Sequence, residues 1–206
     1  MKIIRAGFED TDIFSESELN HGACCFFSED RTCKYFFEIK GQEAILHANT
    51  GMYTAEVIDE FLFYSGFITL IKTPDGDVLL EKATVEPRMF EVSKIQPSQF
   101  YISDEKLARC KRWITGPEDI HIPVVIKDGI CISLDGHTRL RAAIDLGYPS
   151  VYVYPDECDE VIFRFVAEAV KRNITSVYDM EIVGSEEYKA KWDGFCDCLL
   201  KSLGDS

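Results

Sequence analysis

Apolar residues recur every three or four positions in several stretches of the chain, and this spacing predicts helices with one buried face. The clearest example is formed by Val57, Ile58, Phe61 and Leu62 within residues 54–64. The same pattern predicts further helices at residues 103–114, 137–146, 158–171 and 185–199.

Short apolar runs bounded by turn residues lie between these helices, which is the pattern of β-strands. Residues 123–127 and 130–134 flank Asp128-Gly129, a dipeptide that favours a two-residue hairpin turn. Residues before about position 29 show no regular pattern, and we expect an irregular N-terminal segment. The other predicted strands are residues 33–39, 43–48, 67–72, 77–82, 90–95 and 151–154.

The mixture of helices and strands predicts an α+β fold. The chain has 206 residues and an apolar fraction of 46%, so a sizeable core can form. Glu86-Pro87 is the expected boundary after a small mixed α/β module at residues 1–87. A mixed-sheet domain at residues 88–156 and a C-terminal helical segment at residues 157–206 are expected to follow, with no internal repeat.

The charge balance restricts the partners. The formal net charge is −14 and no basic run is visible, so duplex DNA is a poor default partner. No stretch is long and apolar enough to span a membrane, and residues 1–5 lack the apolar core of a signal peptide. We therefore expect a cytoplasmic protein without a membrane partner.

Eight cysteines are spread over the chain. His21, Cys24, Cys25 and Cys33 form a loose cluster, but they lack the paired Cys-x2-Cys spacing of a zinc site. We expect reduced, buried thiols and no protein-bound metal at these positions.

A tight turn between a predicted strand and a predicted helix contains the most informative chemistry. Gly136 permits the sharp turn, and the helix that follows presents free N–H groups and the positive end of its dipole, which attract anions. This arrangement predicts a phosphate pocket. Its candidate ligands are Asp135, Gly136, His137, Thr138, Arg139 and Arg141.

Residues 135–143, Asp-Gly-His-Thr-Arg-Leu-Arg-Ala-Ala, resemble the phosphate-binding signature of the ParB/sulfiredoxin superfamily. ParB proteins have Gly-Glu-Arg-Arg-x-Arg-Ala there, sulfiredoxins Gly-Cys-His-Arg, and free serine kinases Asp-Gly-His-His-Arg. The resemblance extends upstream through residues 92–99, which include Ile95-Gln96-Pro97-Ser98-Gln99, and downstream to the strand at residues 151–154. It implies a ParB/sulfiredoxin-like domain that binds ATP, ADP or CTP with Mg²⁺, with Ser98 and Gln99 beside the phosphate turn.

Three activities occur in proteins of this superfamily. Sulfinic-acid reduction is not expected, because His137 stands where sulfiredoxins have the attacking cysteine. In free serine kinases a glutamate acts as the base, and the residue here that aligns with it is Gln99. An amide cannot accept a proton at neutral pH, so Glu105 and Asp104 are the candidate catalytic carboxylates.

Two hypotheses remain open. One is a magnesium-dependent phosphotransferase that acts on a small hydroxylated metabolite, which the acidic charge and the short C-terminal segment favour. The other is a non-catalytic nucleotide switch or partner-binding module of ParB type, a type linked to DNA partition and nuclease activity. Gln99 favours the second hypothesis, because it is ordinary in ParB proteins.

Overall fold

The computed structural model describes residues 1–20, 24–83 and 86–204, so His21 of the cysteine cluster lies outside the described residues. The chain divides into two compact units, Met1–Glu86 and Pro87–Ser206. Both units combine helices with mixed sheets, and helices follow at the C-terminus, which confirms the predicted α+β class. Within the described ranges, no helix is long and apolar enough to cross a membrane.

The first unit is built on a six-stranded sheet whose spatial order follows the chain. Helix α2 connects β4 to the parallel strand β5, and Phe61 of this helix stacks on Phe37 of β3 at 3.8 Å between ring centroids. The strands are Ile3–Arg5 (β1), Cys25–Ser28 (β2), Lys34–Lys40 (β3), Glu43–Ala48 (β4), Leu70–Lys72 (β5) and Val78–Glu81 (β6), and the helices are Glu16–Leu19 (α1) and Ala55–Tyr64 (α2).

The expectation of an irregular N-terminal segment is wrong. Strand β1 pairs with β2 in antiparallel fashion at one edge of the sheet, and α1 begins with a capping box between Ser15 and Glu18. All four residues of β2 are buried, so this strand lacks the alternation of apolar and polar positions that marks a half-exposed strand. Cys24, Cys25 and Cys33 are buried in this region, and none of them forms a disulfide with a described residue.

The second unit contains a five-stranded mixed sheet in the order β7-β12-β10-β11-β8. Asp128 and Gly129 both have positive φ angles, 52° and 79°, and join β10 to β11 as the predicted hairpin. The strands are Arg88–Glu91 (β7), Ile95–Gln96 (β8), Tyr101–Ser103 (β9), His121–Lys127 (β10), Ile130–Ser133 (β11), Ser150–Pro155 (β12) and Glu181–Val183 (β13).

The single strand predicted at residues 90–95 is wrong, because this stretch belongs to both edges of the sheet. β7 pairs with β12, whereas β8 pairs with β11 on the opposite side. The 3-10 turn Val92–Lys94 separates them, and the buried Val92 donates its N–H to the Pro149 carbonyl at 3.0 Å. The chain thereby crosses the sheet within a few residues.

Helices cover the sheet and continue to the C-terminus. Ser103 caps α3 as predicted, whereas α6 is capped by Gly184 and not by Ser185. Strands β9 and β13 form a separate parallel pair that the sequence did not predict. The helices are Asp104–Trp113 (α3), His137–Asp145 (α4), Val161–Lys171 (α5), Ser185–Tyr188 (α6) and Gly194–Gly204 (α7), with the π-helical turn Lys189–Asp193 between the last two.

Two corners of this unit share the sequence Ile-Thr-x-x-x-Asp, at residues 114–119 and 174–179. In each corner a helix leads through a 3-10 turn into a strand. The Asp119 carboxylate accepts bonds from the N–H and hydroxyl of Thr115, and Asp179 does the same with Thr175. The two corners therefore share a short sequence and the same hydrogen bonds.

Candidate functional site

The turn between β11 and α4 depends on Gly136. Its φ of 79° lies in the left-handed region, and it caps α4 without a side-chain hydrogen bond. A Cβ atom at this position would lie 2.7 Å from Cδ1 of Ile122, so the space also requires glycine. The first hydrogen bond of the helix runs from the Leu140 N–H to the Gly136 carbonyl, at 2.9 Å. The N–H groups of the preceding first turn therefore have no acceptor within the helix.

The imidazole of His137 lies on the buried side of this turn and is 4% exposed. Its Nε2 accepts the backbone N–H of Ser98 at 3.0 Å, with the Ser133 hydroxyl also at 3.0 Å. Burial lowers the pKa of His137 to about 4, so the ring is neutral at pH 7 and carries its proton on Nδ1. The side chain therefore supports the turn from inside, while its backbone N–H belongs to the helix N-terminus.

Ser98 is fixed by the same buried network. Its hydroxyl donates to the Ser133 carbonyl at 2.9 Å, and it joins the segment after β8 to the end of β11. Gln96 completes the network by donating to the carbonyl groups of Pro97 and Ile174 at 2.9 and 3.0 Å. The predicted residue Ser98 thus positions the turn and does not face outward.

Arg139 folds back over the glycine turn. Its Nη1 donates to the His121 carbonyl at 2.9 Å and its Nη2 to the Asp135 carboxylate at 3.0 Å. A Cβ on Gly136 would lie 3.0 Å from the same Nη2, which places the guanidinium directly above the turn. Two of the five N–H donors of Arg139 are used in these bonds, and its side chain is 19% exposed.

Asp135 brings a negative charge to the same place, and its side chain is 68% exposed. Desolvation raises the pKa of its carboxyl, but Arg139 and the Gly136 N–H lower it by more, so the net shift is downward. The Asp135 carboxylate therefore places its negative charge beside Arg139 and the Gly136 N–H. A phosphate group would share Arg139 with Asp135 or displace it.

Thr138 and Arg141 complete the predicted set. Thr138 is half-buried, and its hydroxyl has no hydrogen-bond partner among the described residues. Arg141 points away from the turn: its Nε donates to Asp145 at 3.2 Å and its Nη1 to the Met180 carbonyl at 3.3 Å. Asp145 also pairs with Lys111 of α3, so Arg141 belongs to a group of ion pairs that links α3 to α4.

The predicted catalytic carboxylates lie at the start of α3. Glu105 accepts bonds from Arg109 at 2.8 Å and from the Ser185 hydroxyl at 2.9 Å. These bonds lower the pKa of Glu105, Arg109 contributing most. Asp104 accepts the Glu105 N–H at 2.6 Å. Neither carboxylate has a hydrogen bond to the Gly136 turn among the described residues, and their catalytic role stays a prediction.

Gln99 is turned toward the C-terminal helices. Its amide nitrogen donates to the Tyr101 carbonyl at 2.5 Å and to the Tyr188 hydroxyl at 3.1 Å. Sequence reasoning did not find Tyr188, because it lies about ninety residues away and its apolar spacing marked it only as a core position. It also missed the His121 carbonyl, since a backbone acceptor leaves no signal in the sequence.

The site offers few ligands for a metal ion. Over the part of the chain that the structure describes, no group of three or more His, Cys, Asp or Glu side chains is assembled. Mg²⁺ commonly binds through one or two protein oxygens together with substrate phosphates and water. Asp135 and Thr138 are the oxygen-bearing side chains at this turn that fit such a role.

Comparisons with known proteins leave the family open. No protein-family model matches the chain, and no curated protein matches it. Among solved structures the chain is similar to protein Atu1540 from Agrobacterium tumefaciens, with 15% identity and a TM-score of 0.33. The match covers 47% of this chain and 63% of that chain. A likeness at this level assigns no activity, and the ParB/sulfiredoxin resemblance stays a prediction.

Proposed function

We propose that the chain binds the phosphate groups of a nucleotide (ATP, ADP or CTP, with Mg²⁺) at the N-terminus of α4. The observation that carries the proposal is the capping of α4 by Gly136, which has no side chain of its own to accept the first-turn N–H groups. Arg139 above the turn adds a guanidinium that can form a bidentate pair with phosphate oxygens.

The surrounding charges favour binding without phosphoryl transfer. Gln99 occupies the position expected for a catalytic base and donates both of its amide N–H groups. The bonds of Glu105 to Arg109 and Ser185 stabilise its carboxylate and make it a weaker base. A nucleotide switch or partner-binding module of ParB type is therefore the form of the proposal that we prefer to a metabolite kinase.

A thermal-shift measurement tests the binding. A ligand that binds only the folded state raises the unfolding temperature in proportion to the logarithm of its concentration above Kd. We expect at least one of ATP, ADP and CTP to raise it in the presence of Mg²⁺, and inorganic sulfate at equal ionic strength to raise it less. No shift with any nucleotide at millimolar concentration would contradict the proposal.

A turnover assay separates the two forms of the proposal. The protein is incubated with ATP or ADP and a pool of hydroxylated metabolites, and nucleotide conversion is followed by chromatography. We expect no conversion that exceeds the rate of the Arg139→Ala variant. Conversion that depends on Glu105 or Asp104 would instead establish the phosphotransferase.

A further inference from the structure

Tyr188 is a buried tyrosine that the proposed phosphate site does not use. It lies at the end of α6, and Lys106 of α3 sits over its ring at 4.5 Å from the centroid. Its hydroxyl accepts the amide N–H of Gln99 at 3.1 Å. Gln99 directly follows Ser98, whose N–H bonds to His137 at the first position of α4. This chain of contacts links the tyrosine to the phosphate turn.

The direction of these hydrogen bonds is fixed by the Tyr101 carbonyl. A carbonyl only accepts, so the amide nitrogen of Gln99, and not its oxygen, must face Tyr101. The second amide N–H then goes to the oxygen of Tyr188. Among the described residues, the Tyr188 proton has no acceptor and the Gln99 Oε1 has no donor.

The Tyr188 proton is a donor and the Gln99 Oε1 an acceptor, and the two side chains are in direct contact, with Gln99 half-buried. Burial, followed by the charge of Asp193, raises the pKa of Tyr188, so its hydroxyl stays protonated at neutral pH. A ligand hydroxyl fits such a pair, because its oxygen can accept one hydrogen bond while its proton donates another. A phosphate oxygen or a carbonyl would satisfy only the tyrosine.

We propose that Gln99 and Tyr188 recognise a sugar hydroxyl of the nucleotide whose phosphates bind at the α4 N-terminus. This inference rests on the proposed function. The sugar oxygen accepts the Tyr188 proton, and the sugar hydroxyl donates to Oε1 of Gln99. The same geometry explains an amide at position 99, because a carboxylate there would face the Tyr101 carbonyl and lack the donor that this bond requires.

The test compares nucleotides with and without sugar hydroxyls. Wild-type protein is titrated calorimetrically with the tightest-binding of ATP, ADP and CTP, and with its 2′-deoxy and 3′-deoxy forms. We expect at least one deoxy form to bind about tenfold more weakly, as the loss of such hydrogen bonds implies. Tyr188→Phe should bind the parent nucleotide more weakly and discriminate less against that deoxy form, because it removes one of the two hydrogen bonds to the sugar hydroxyl.

Two further variants keep the result interpretable. Gln99→Leu removes the acceptor while it retains Tyr188, and it should reduce the same discrimination. Tyr148→Phe is the matched control, because it removes a hydroxyl that donates to the Thr115 carbonyl at 2.9 Å. It should behave like the wild type. Circular dichroism and the unfolding midpoint without ligand verify that each variant is folded.

The outcomes separate the two proposals. Wild-type protein that binds all three forms equally would overturn the hydroxyl pair and leave nucleotide binding intact. Discrimination that stays at the wild-type level in both Tyr188→Phe and Gln99→Leu would overturn it as well. Wild-type protein that binds no nucleotide would refute the proposed function, and this inference with it.

Discussion

Arg139 and Arg141 are two residues apart on α4 but have different partners. Arg139 folds back over the Gly136 turn, whereas Arg141 pairs with Asp145 on another side of the helix. We expect Arg139→Ala to weaken nucleotide binding by about 1.5–3 kcal/mol, the range for a hydrogen bond to a charged group. Arg141→Ala should change the affinity less, since its guanidinium does not face the turn.

Calorimetric titration of both variants with the same nucleotide measures this difference, and urea unfolding shows what each change costs in stability. Equal losses of affinity would mean that the charge of the helix, and not the position of Arg139, determines binding.

Gly136 and Gly147 provide a matched comparison of backbone and packing effects. Both residues have left-handed φ angles, 79° and 83°, so alanine at either position costs about 1–2 kcal/mol of backbone strain. A Cβ on Gly147 meets nothing within 4 Å, whereas one on Gly136 approaches Ile122 and Arg139. We expect Gly136→Ala to destabilise the protein by about 1 kcal/mol or more beyond Gly147→Ala.

Urea denaturation at neutral pH measures both free energies of unfolding. Equal destabilisation would show that the turn can relax around a methyl group. The close packing of Arg139 over Gly136 would then not contribute to the difference in the free energy of unfolding.

At the scale of elements, the sequence predicted what short-range chemistry determines. The Asp128-Gly129 hairpin, the Ser103 cap and the buried face of α2 all depend on residues within one turn or one pair of strands. Gly147 follows α4 at the expected position, with Tyr148 N–H bonded to the Ala143 carbonyl.

The sequence did not predict the elements that depend on partners far away in the chain, because short-range patterns do not contain those partners. β9 is three residues long and pairs with β13, about eighty positions later, so neither strand is evident alone. The division between β7 and β8 is set by which edge of the sheet each strand reaches. In the candidate site, the turn sequence predicted Gly136 and Arg139, but the inward direction of His137 depends on Ser98.

The two Ile-Thr-x-x-x-Asp corners make a prediction at this scale. Each aspartate accepts three hydrogen bonds from the start of its corner. We expect Asp119→Ala and Asp179→Ala each to lower the free energy of unfolding by about 1–2 kcal/mol, as for the loss of a helix cap. Glu118→Ala, which removes a carboxylate without a hydrogen bond among the described residues, is the control.

Denaturation curves of the three variants measure these free energies of unfolding. If either aspartate variant is as stable as Glu118→Ala, the hydrogen bonds of that aspartate would not stabilise its corner, which would contradict the prediction.

At the scale of the whole molecule, stability should depend on pH through two buried histidines. Burial lowers the pKa of His121 and of His137 to about 4, against about 6.5 in an unfolded chain. Between these values the unfolded state binds more protons. The contribution of the two histidines to the free energy of unfolding is therefore complete above about pH 6.5 and is lost as the pH falls through 4.

Carboxyl groups with lowered pKa values change the free energy of unfolding mainly below their ordinary pKa values, which are near 4. Between pH 6.5 and pH 5, the change in the free energy of unfolding therefore comes mainly from the histidines. We expect a lower free energy of unfolding at pH 5 than at pH 7, and a smaller difference in His137→Asn. Equal stability at the two pH values would contradict the buried, neutral state of these rings.

Isothermal titration calorimetry measures whether the α4 N-terminus binds nucleotide phosphates, as we propose. Wild-type protein is titrated with ATP, ADP and CTP up to millimolar concentration in the presence of Mg²⁺. The geometry of Gly136 and Arg139 predicts saturable binding of at least one nucleotide, weakened in Arg139→Ala. Absence of binding by all three nucleotides to folded wild-type protein would contradict the claim.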